Sequence, residues 1–471
     1  MRCGGAKHCS FSARDGGKGQ CMVHRMGGRS TNVRIWQIYK LGLTIVLLLV
    51  TLSTATQRGS AVMRFQTLQE SLRRYRAGND WHSYVTSARE LKEFVNESPD
   101  SLLEVARAEI RVDELAEAMR NVQEFTRMGQ STDLVETSLE FAPLRKQSGF
   151  AEIQRTMKAN RTSIGHASTA FLLSDSNLLA EDLDYDPRAN RFLVTSVREK
   201  KIISIVKGVT QDFAKPPEDW PMLAIKVDPG RGLVWATEVA MQGFVFTPES
   251  DWGRSAVLCY DLRNGKLLRR IEGPHGSALG DMTLTENGDA IISDGEGGGI
   301  YRVLPKSDVL ERLDNGDFIS PQTPAMHPDG KHIFVPDYVR GIGILELATK
   351  QVRWLSMEGK FALNGIDGLY FDRGRLMAVQ NGTSPERVVV FTLDATLAKI
   401  VSERVIERST PTLGDPTHGV IVDNDFYYIA NSGWNVVDEH GNVKRGTSGS
   451  VPKVMRVRKE FLFPNRPQGK Q

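Results

Sequence analysis

The stretch LDYDPRANRFLVTS (183–196) carries two alternating apolar runs, one on each side of an Asp-Pro turn. Alternation with a period of two residues predicts β-strands with one buried face, and the turn between them predicts an antiparallel hairpin. Five later stretches repeat this plan around turns that are mostly rich in Asp, Pro or Gly. They are IKVDPGRGLVWAT (225–237), MTLTENGDAIISD (282–294), PAMHPDGKHIFVPD (324–337), LYFDRGRLMAV (369–379) and VIVDNDFYYIAN (420–431).

The spacing of these turns indicates the architecture. The turns at Asp186, Asp228, Thr285, His327, Asp372 and Asp423 are 42, 57, 42, 45 and 51 residues apart. Such a period accommodates a propeller blade of four antiparallel strands. Six repeats therefore predict a mainly β protein, a six-bladed β-propeller over residues 175–460, with a central channel.

The first sixty residues form a leader of different composition. An apolar run over residues 41–52 follows basic residues and precedes Ser53, Thr54 and Ala55. This order is typical of a signal peptide, here cleaved after Ala55. The alternative is an uncleaved membrane anchor over residues 36–55. Both interpretations predict an extracytoplasmic protein, periplasmic or secreted, and a cytoplasmic protein is the third alternative.

Charge and cysteine content exclude two classes of function. Residues 1–40 hold eight Lys or Arg and one acid, a net charge of +7, so the whole-chain value of +3 leaves −4 for the remainder. Nucleic-acid binding therefore has no electrostatic support outside the leader. Three of the four cysteines also lie in the leader, and only Cys259 remains. A disulfide framework or a cysteine zinc site is excluded there.

Residues 62–160 predict an α-helical module, because their apolar residues recur at intervals of three and four. Helix, turn, helix and a boundary Pro, with a period of about 34 residues, resemble tetratricopeptide repeats. The segment FAPLRKQSGFAEIQRTM (141–157) is similar to the terminal helix of such repeats. The resemblance implies either a module that docks on the propeller or a surface for a protein or peptide partner.

Residues next to the innermost strands of a propeller converge at one mouth of its channel. Here they include Glu181, Asp182, Asp281, Gln322, Asp367 and His418. Like charges in one site raise carboxyl pKa values or recruit a cation. Oxygen ligands in this number favour Ca²⁺ or Mg²⁺ over a soft metal.

The segments AEDLDYDP (180–187) and IDGLYFDRGRLMAV (366–379) resemble the superfamily of calcium-dependent six-bladed propellers. It contains gluconolactonases, senescence marker proteins, paraoxonases and strictosidine synthase-like proteins. The resemblance implies a Ca²⁺ site, or a site for another divalent cation, with Glu181 and Asp367 as ligands. The family's blade-four Asn is replaced by Gln322, and blade three reads Gly280-Asp281, so Asp281 and Gln322 are the weaker ligands.

Two functions remain open from the sequence. The first is a metal-dependent hydrolase of a small lactone or ester, with Asp281 or His418 as the general base. The second is a non-enzymatic extracytoplasmic scaffold that binds a protein or another ligand. In both, contact with a membrane is expected only through the N-terminal segment.

Overall fold

A computed structural model describes residues 60–463 except residues 246 and 448. The predicted signal peptide or anchor lies outside the described residues. No helix within them combines the length and the apolar character needed to cross a membrane. The α-helices are α1 (Ser60–Ala77), α2 (Trp81–Phe94), α3 (Pro99–Arg111), α4 (Leu115–Arg127), α5 (Asp133–Thr137), α6 (Phe150–Asn160) and α7 (Lys459–Leu462). Short 3₁₀ turns occupy Leu139–Phe141, Leu144–Lys146, Glu249–Asp251 and Trp434–Val436.

The predicted helices before the propeller are present, and local sequence explains where they begin. Asp80 caps α2 by accepting a hydrogen bond from the backbone N–H of Ser83 at 3.2 Å. Pro99 opens α3, where its missing N–H is not needed. A buried core that includes Val122 and Phe150 joins α3, α4 and α6. The assignment of these helices to the tetratricopeptide class stays a prediction.

Six sheets form the predicted six-bladed β-propeller, so the fold class is confirmed. Blade one contains β3 (Ala180–Asp186), β4 (Arg191–Ser196), β5 (Lys201–Val206) and β6 (Val209–Ala214). Blade two contains β7 (Met222–Asp228), β8 (Leu233–Val239), β9 (Ser255–Asp261) and β10 (Leu267–Glu272). Blade three contains β11 (Leu279–Leu284), β12 (Ala290–Asp294), β13 (Gly299–Val303) and β14 (Leu310–Arg312).

Of the remaining three blades, only five and six include strands from elsewhere in the described part of the chain. Blade four contains β15 (Ala325–Met326), β16 (His332–Asp337), β17 (Gly341–Glu346) and β18 (Val352–Trp354). Blade five contains β20 (Ile366–Asp372), β21 (Arg375–Gln380), β22 (Arg387–Leu393) and β23 (Lys399–Arg408), and is extended by β1 (Ile164–Gly165) and β19 (Ser356–Met357). Blade six contains β24 (Gly419–Val422), β25 (Asp425–Ile429), β26 (Lys453–Val457) and β2 (Ala167–Leu172).

The two ends of the propeller sequence meet in blade six. Strand β2 pairs antiparallel with β26, from Ala167 opposite Val457 to Leu172 opposite Lys453. The outermost strand of this blade therefore comes from the N-terminal side of the propeller and closes the ring. It precedes residue 175, where the sequence analysis placed the start of the propeller.

The helical module packs against blades three, four and five. The backbone N–H of Ala61 donates to the Gly316 carbonyl at 3.0 Å, and the Ser384 N–H donates to Gln130 Oε1 at 3.1 Å. Arg387, which is 0 % exposed, links the propeller to the helical module from a buried position between them. Its Nε donates to Gln380 Oε1 at 2.8 Å, and its Nη1 donates to the carbonyl of Met128 in the module at 3.4 Å.

Candidate functional site

The structure brings together three of the predicted site residues: Asp281, Asp367 and His418. Asp281 lies in β11, Asp367 in β20, and His418 directly before β24, so three blades contribute. One ligand atom from each residue lies within 4.8 Å of the others. Their exposed fractions are 5 %, 0 % and 0 % respectively, so these charged groups lie inside the propeller. Below, they are called the channel cluster.

Both ring nitrogens of His418 have acceptors. Nδ1 donates to the backbone carbonyl of Glu181 at 2.9 Å, and Nε2 is hydrogen-bonded to Oδ1 of Asp281. A carbonyl oxygen can only accept, so Nδ1 carries a proton. The second contact joins a ring nitrogen to a carboxyl oxygen, and it requires a proton between them. This geometry is compatible with an imidazolium–carboxylate pair between His418 and Asp281.

The electrostatics of the channel agree with this protonation. Burial by itself lowers the pKa of His418, because a charged ring is poorly solvated there. The negative charges of Asp367, Asp281 and Asp182, together with the hydrogen bond to Asp281, outweigh burial. They raise the pKa of His418 to about 10. His418 is thus a cation at neutral pH.

A close approach of two backbone segments holds Asp367 in place. Asn381 Nδ2 donates to Asp367 Oδ2 at 2.8 Å, and Asn381 Oδ1 accepts from the hydroxyl of Tyr338 at 3.0 Å. Two residues before Asp367, Gly365 has φ +63°, and a Cβ there would lie 2.6 Å from the carbonyl carbon of Gly382. Only glycine fits this contact, which brings the Asn381 loop next to the Asp367 strand.

Glu181 and Asp182 lie beside the channel cluster with partners of their own. The Glu181 carboxylate accepts a hydrogen bond from Trp434 Nε1 at 2.6 Å. Asp182 Oδ2 accepts from the N–H of Ile225 at 2.9 Å and forms an ion pair with Lys226 Nζ at 2.7 Å. Glu181 thus contacts His418 through its backbone, whereas its carboxylate faces the indole of Trp434.

Gln322, the predicted substitute for the family's Asn, is bonded within its own loop. Its Nε2 donates to the carbonyl oxygen of Ser320 at 3.3 Å and to the Ser320 hydroxyl at 3.2 Å. The next residue, Thr323, makes the contact with the cluster: its hydroxyl donates to Asp281 Oδ1 at 3.4 Å. The ligand role of Gln322 stays a prediction.

A cavity of about 260 Å³ adjoins the cluster. The innermost strands of all six blades or the residues next to them line it, among them Asp184, Lys226, Thr283, Thr323, Tyr370 and Gly419. Thr323 and Lys226 connect it to Asp281 and Asp182 through the contacts above. The Tyr370 hydroxyl accepts from the Gly419 N–H at 2.6 Å, and burial raises the pKa of Tyr370 well above 10, so it stays protonated.

Sequence reasoning did not single out Asp184 as a functional group. This half-buried carboxylate accepts hydrogen bonds from the N–H groups of Val227 at 2.6 Å and Tyr185 at 2.8 Å. Burial raises the pKa of Asp184 to about 6, although the charge of Lys226 and both hydrogen bonds oppose the rise. A carboxyl group that titrates near neutrality and lines a cavity is suited to proton transfer. The motif LDYDP gives no sign of this, because the shift arises from packing between blades.

The donor set of the cluster can be compared with the needs of metal ions. Ca²⁺ takes six to eight oxygen ligands. The channel cluster offers two carboxylates and one imidazole, which is closer to the ligand set of Zn²⁺ or a similar cation. Binding through Nε2 of His418 would require its proton to leave, so cation and proton compete for the site.

The comparisons with known proteins give matches among solved structures alone. No family model matches the sequence, and no curated protein matches it. Among solved structures, the PQQ-bound aldose sugar dehydrogenase from Streptomyces coelicolor has 12 % identity and a TM-score of 0.43, covering 63 % of this chain and 98 % of its own.

Two further solved structures match over a similar share of the chain. A gluconolactonase from Xanthomonas campestris has 15 % identity and a TM-score of 0.44, covering 64 % of this chain and 92 % of its own. Regucalcin from Agrobacterium tumefaciens, described as a calcium-binding protein, has 14 % identity and a TM-score of 0.43, covering 61 % and 93 %. Such distant matches concern the fold, and no activity is transferred from them.

Proposed function

We propose that this protein is a divalent-cation-dependent hydrolase whose substrate, a small lactone or ester, enters the channel cavity. The observation that carries the proposal is the convergence of Asp281, Asp367 and His418 beside a cavity to which every blade contributes. Buried charged groups are expensive to maintain, and such clusters in clefts are common at functional sites.

The chemistry would be divided between the cluster and the cavity wall. Asp281, Asp367 and His418 would hold the cation, which when bound polarises a carbonyl group and lowers the pKa of water. Asp184 would accept a proton from the attacking water, since its pKa is about 6. The roles of Asp281 or His418 as general base stay predictions, and each would first require their shared proton to move.

A second candidate is a non-enzymatic propeller that binds a protein or peptide outside the cytoplasm. The observation that favours it is the His418–Asp281 pair, which already balances one carboxylate charge without a cation. The module packed on blades three to five would then supply the binding surface. Export of the protein remains part of both proposals and rests on the apolar run of the leader.

The two candidates differ in cation binding. Purified protein, with and without chelation, is compared with Asp367→Asn and with the matched exposed control Asp308→Asn. A cation that binds only the folded state stabilises it by about 2.7 kcal/mol at a hundredfold excess over its Kd. We expect Ca²⁺, Mn²⁺ or Zn²⁺ to raise the melting temperature of the wild type and of Asp308→Asn by more than that of Asp367→Asn.

Activity is then measured on the cation-loaded wild type with a panel of lactones and aryl esters, following acid release. The hydrolase proposal requires turnover that is lost in Asp367→Asn and kept in Asp308→Asn. Suppose that every cation shifts the melting temperature of wild type and Asp367→Asn equally, and that no turnover is seen. This result would reject the hydrolase proposal in favour of the binding protein.

A further inference from the structure

A second group of metal-binding side chains lies in the turn between β15 and β16 of blade four. The turn reads His327-Pro328-Asp329-Gly330-Lys331-His332. One ligand atom from each of His327, Asp329 and His332 lies within 4.8 Å of the others. Their side chains are 12 %, 36 % and 28 % exposed, so the group is accessible to an ion from solvent. The channel cluster shares no residue with it.

We propose that this turn is a binding site for a first-row transition cation of the Zn²⁺ class, with His327, Asp329 and His332 as ligands. The two imidazoles flank one carboxylate. Nδ1 of His327 lies 2.9 Å from Asp329 Oδ1, and Nδ1 of His332 lies 2.6 Å from Asp329 Oδ2. Nδ1 of His327 also accepts a hydrogen bond from the backbone N–H of Asp329 at 3.3 Å, so this nitrogen presents a lone pair in the turn. The contact of His332 with Asp329 requires a proton or another cation between the two atoms, because a nitrogen lone pair and a carboxylate oxygen repel each other.

The backbone of the turn fixes the carboxylate in advance. The N–H groups of Lys331 and His332 donate to Asp329 Oδ1 at 2.8 and 3.1 Å. Oδ1 therefore takes both backbone bonds, and Oδ2 faces His332. The N–H of Gly330 donates to the carbonyl of His327 at 3.1 Å, which closes the turn. Hydrogen bonds of this kind orient a ligand and increase metal affinity.

The ligand atoms and their spacing select the cation. Two imidazole nitrogens and one carboxylate oxygen suit Zn²⁺, Co²⁺ or Ni²⁺ better than Ca²⁺. Bonds of about 2.0–2.1 Å in tetrahedral geometry place ligand atoms about 3.3 Å apart. The nitrogen–oxygen distances of 2.6 and 2.9 Å are therefore less than about 1 Å too short. A small rotation of the partly exposed His332 ring would lengthen the shorter of these two distances.

Three protein ligands leave a fourth position open. Because the turn is exposed, that position would be filled by water or by an anion from solution. Strand β15 begins after Thr323, which contacts the channel cluster, and ends at Met326, directly before His327. The proposed site therefore follows the opposite end of that strand from the cluster. Its occupation does not depend on the hydrolase proposal.

The test uses the complete purified chain, stripped of metal by a chelator and dialysed. Zn²⁺ is titrated against a chromophoric competitor, and Co²⁺ is added in parallel so that its visible absorption reports the ligand geometry. The variants are His327→Ala, His332→Ala and His332→Gln, the last of which keeps a polar side chain of similar length. The matched control is His275→Ala, an exposed histidine in another loop. Asp367→Asn separates this site from the channel cluster.

We expect the turn site to bind one Zn²⁺ with equal affinity in wild type, His275→Ala and Asp367→Asn, apart from any ion held by the channel cluster. The three turn variants should lose at least about 100-fold in that affinity, because changes around a metal ligand alone cost 10–100-fold. The part of the Co²⁺ spectrum that comes from the turn should vanish in the same variants. Unchanged Zn²⁺ affinity in His332→Ala and His332→Gln would overturn the proposal, as would loss of this ion in Asp367→Asn.

Discussion

The imidazolium–carboxylate pair in the channel predicts a specific pH dependence of stability. The pKa of His418 rises from 6.5 to about 10 in the folded protein. A group whose pKa is raised by folding stabilises the folded state fully below its unfolded pKa. That contribution is lost as the pH rises through the folded value. The window for His418 therefore extends from pH 6.5 to about 10.

The size of the effect follows from the two pKa values. Each pH unit across the window corresponds to about 1.4 kcal/mol. Because each end of this window is a titration midpoint, His418 should lose about 4 kcal/mol of its contribution to the free energy of unfolding between pH 6.5 and about 10. This is a large part of the total for an ordinary domain, about 5–15 kcal/mol.

Urea unfolding of the metal-free protein at several pH values measures this contribution. The reference is the double variant Asp281→Asn with His418→Gln, which replaces the ion pair by two neutral amides. The difference in unfolding free energy between wild type and double variant cancels the titration of distant lysines and tyrosines. It should fall by about 4 kcal/mol from pH 6.5 to 10. A difference that stays within about 1 kcal/mol over this range would refute the proposed protonation of His418.

Three other predictions test other parts of the structure. Arg387→Met should lower the free energy of unfolding by about 3–5 kcal/mol in urea titrations, because it leaves buried polar partners unpaired; equal urea midpoints would contradict this. Gly365→Ala should lower stability by about 1–3 kcal/mol and weaken cation binding, since its Cβ meets backbone; unchanged melting would show that the contact relaxes. If Asp184 is the base, kcat/KM of the cation-loaded enzyme should rise with pH through about 6, and Asp184→Asn should abolish that limb.

The six blades could be predicted because the information for them is local. Each quoted stretch holds both strands of one hairpin and the turn that reverses the chain between them. Blade one illustrates this: Asp186 is paired with Arg191 across the Asp-Pro turn of its hairpin. Period-two alternation and turn residues act over fewer than fifteen residues, so sequence alone reports them.

The candidate site was predictable only in part, because its final arrangement depends on contacts between distant segments. Asp367 and Asp281 were found from their positions beside inner strands. The partner of Asp367, Asn381, lies 14 residues later, and its approach depends on the Gly365–Gly382 contact. The shift of Asp184 likewise depends on a strand of the neighbouring blade. The closing strand β2 has no hairpin partner in its own stretch of sequence, and its pairing with β26 carried no local signal.

That closing strand has a consequence for how the protein is made. Leu172 and its partner Lys453 are separated by 281 residues. At a synthesis rate of about 5–20 residues per second, β2 emerges about 14 to 56 s before the strand it pairs with exists. During that time it is an unpaired edge, and such edges promote aggregation. Its sequence, ASTAFL, holds mostly small or polar residues, which makes it a poor template for association while it waits. Ring closure is therefore expected to be a late folding step, which can occur only after β26 has been synthesised.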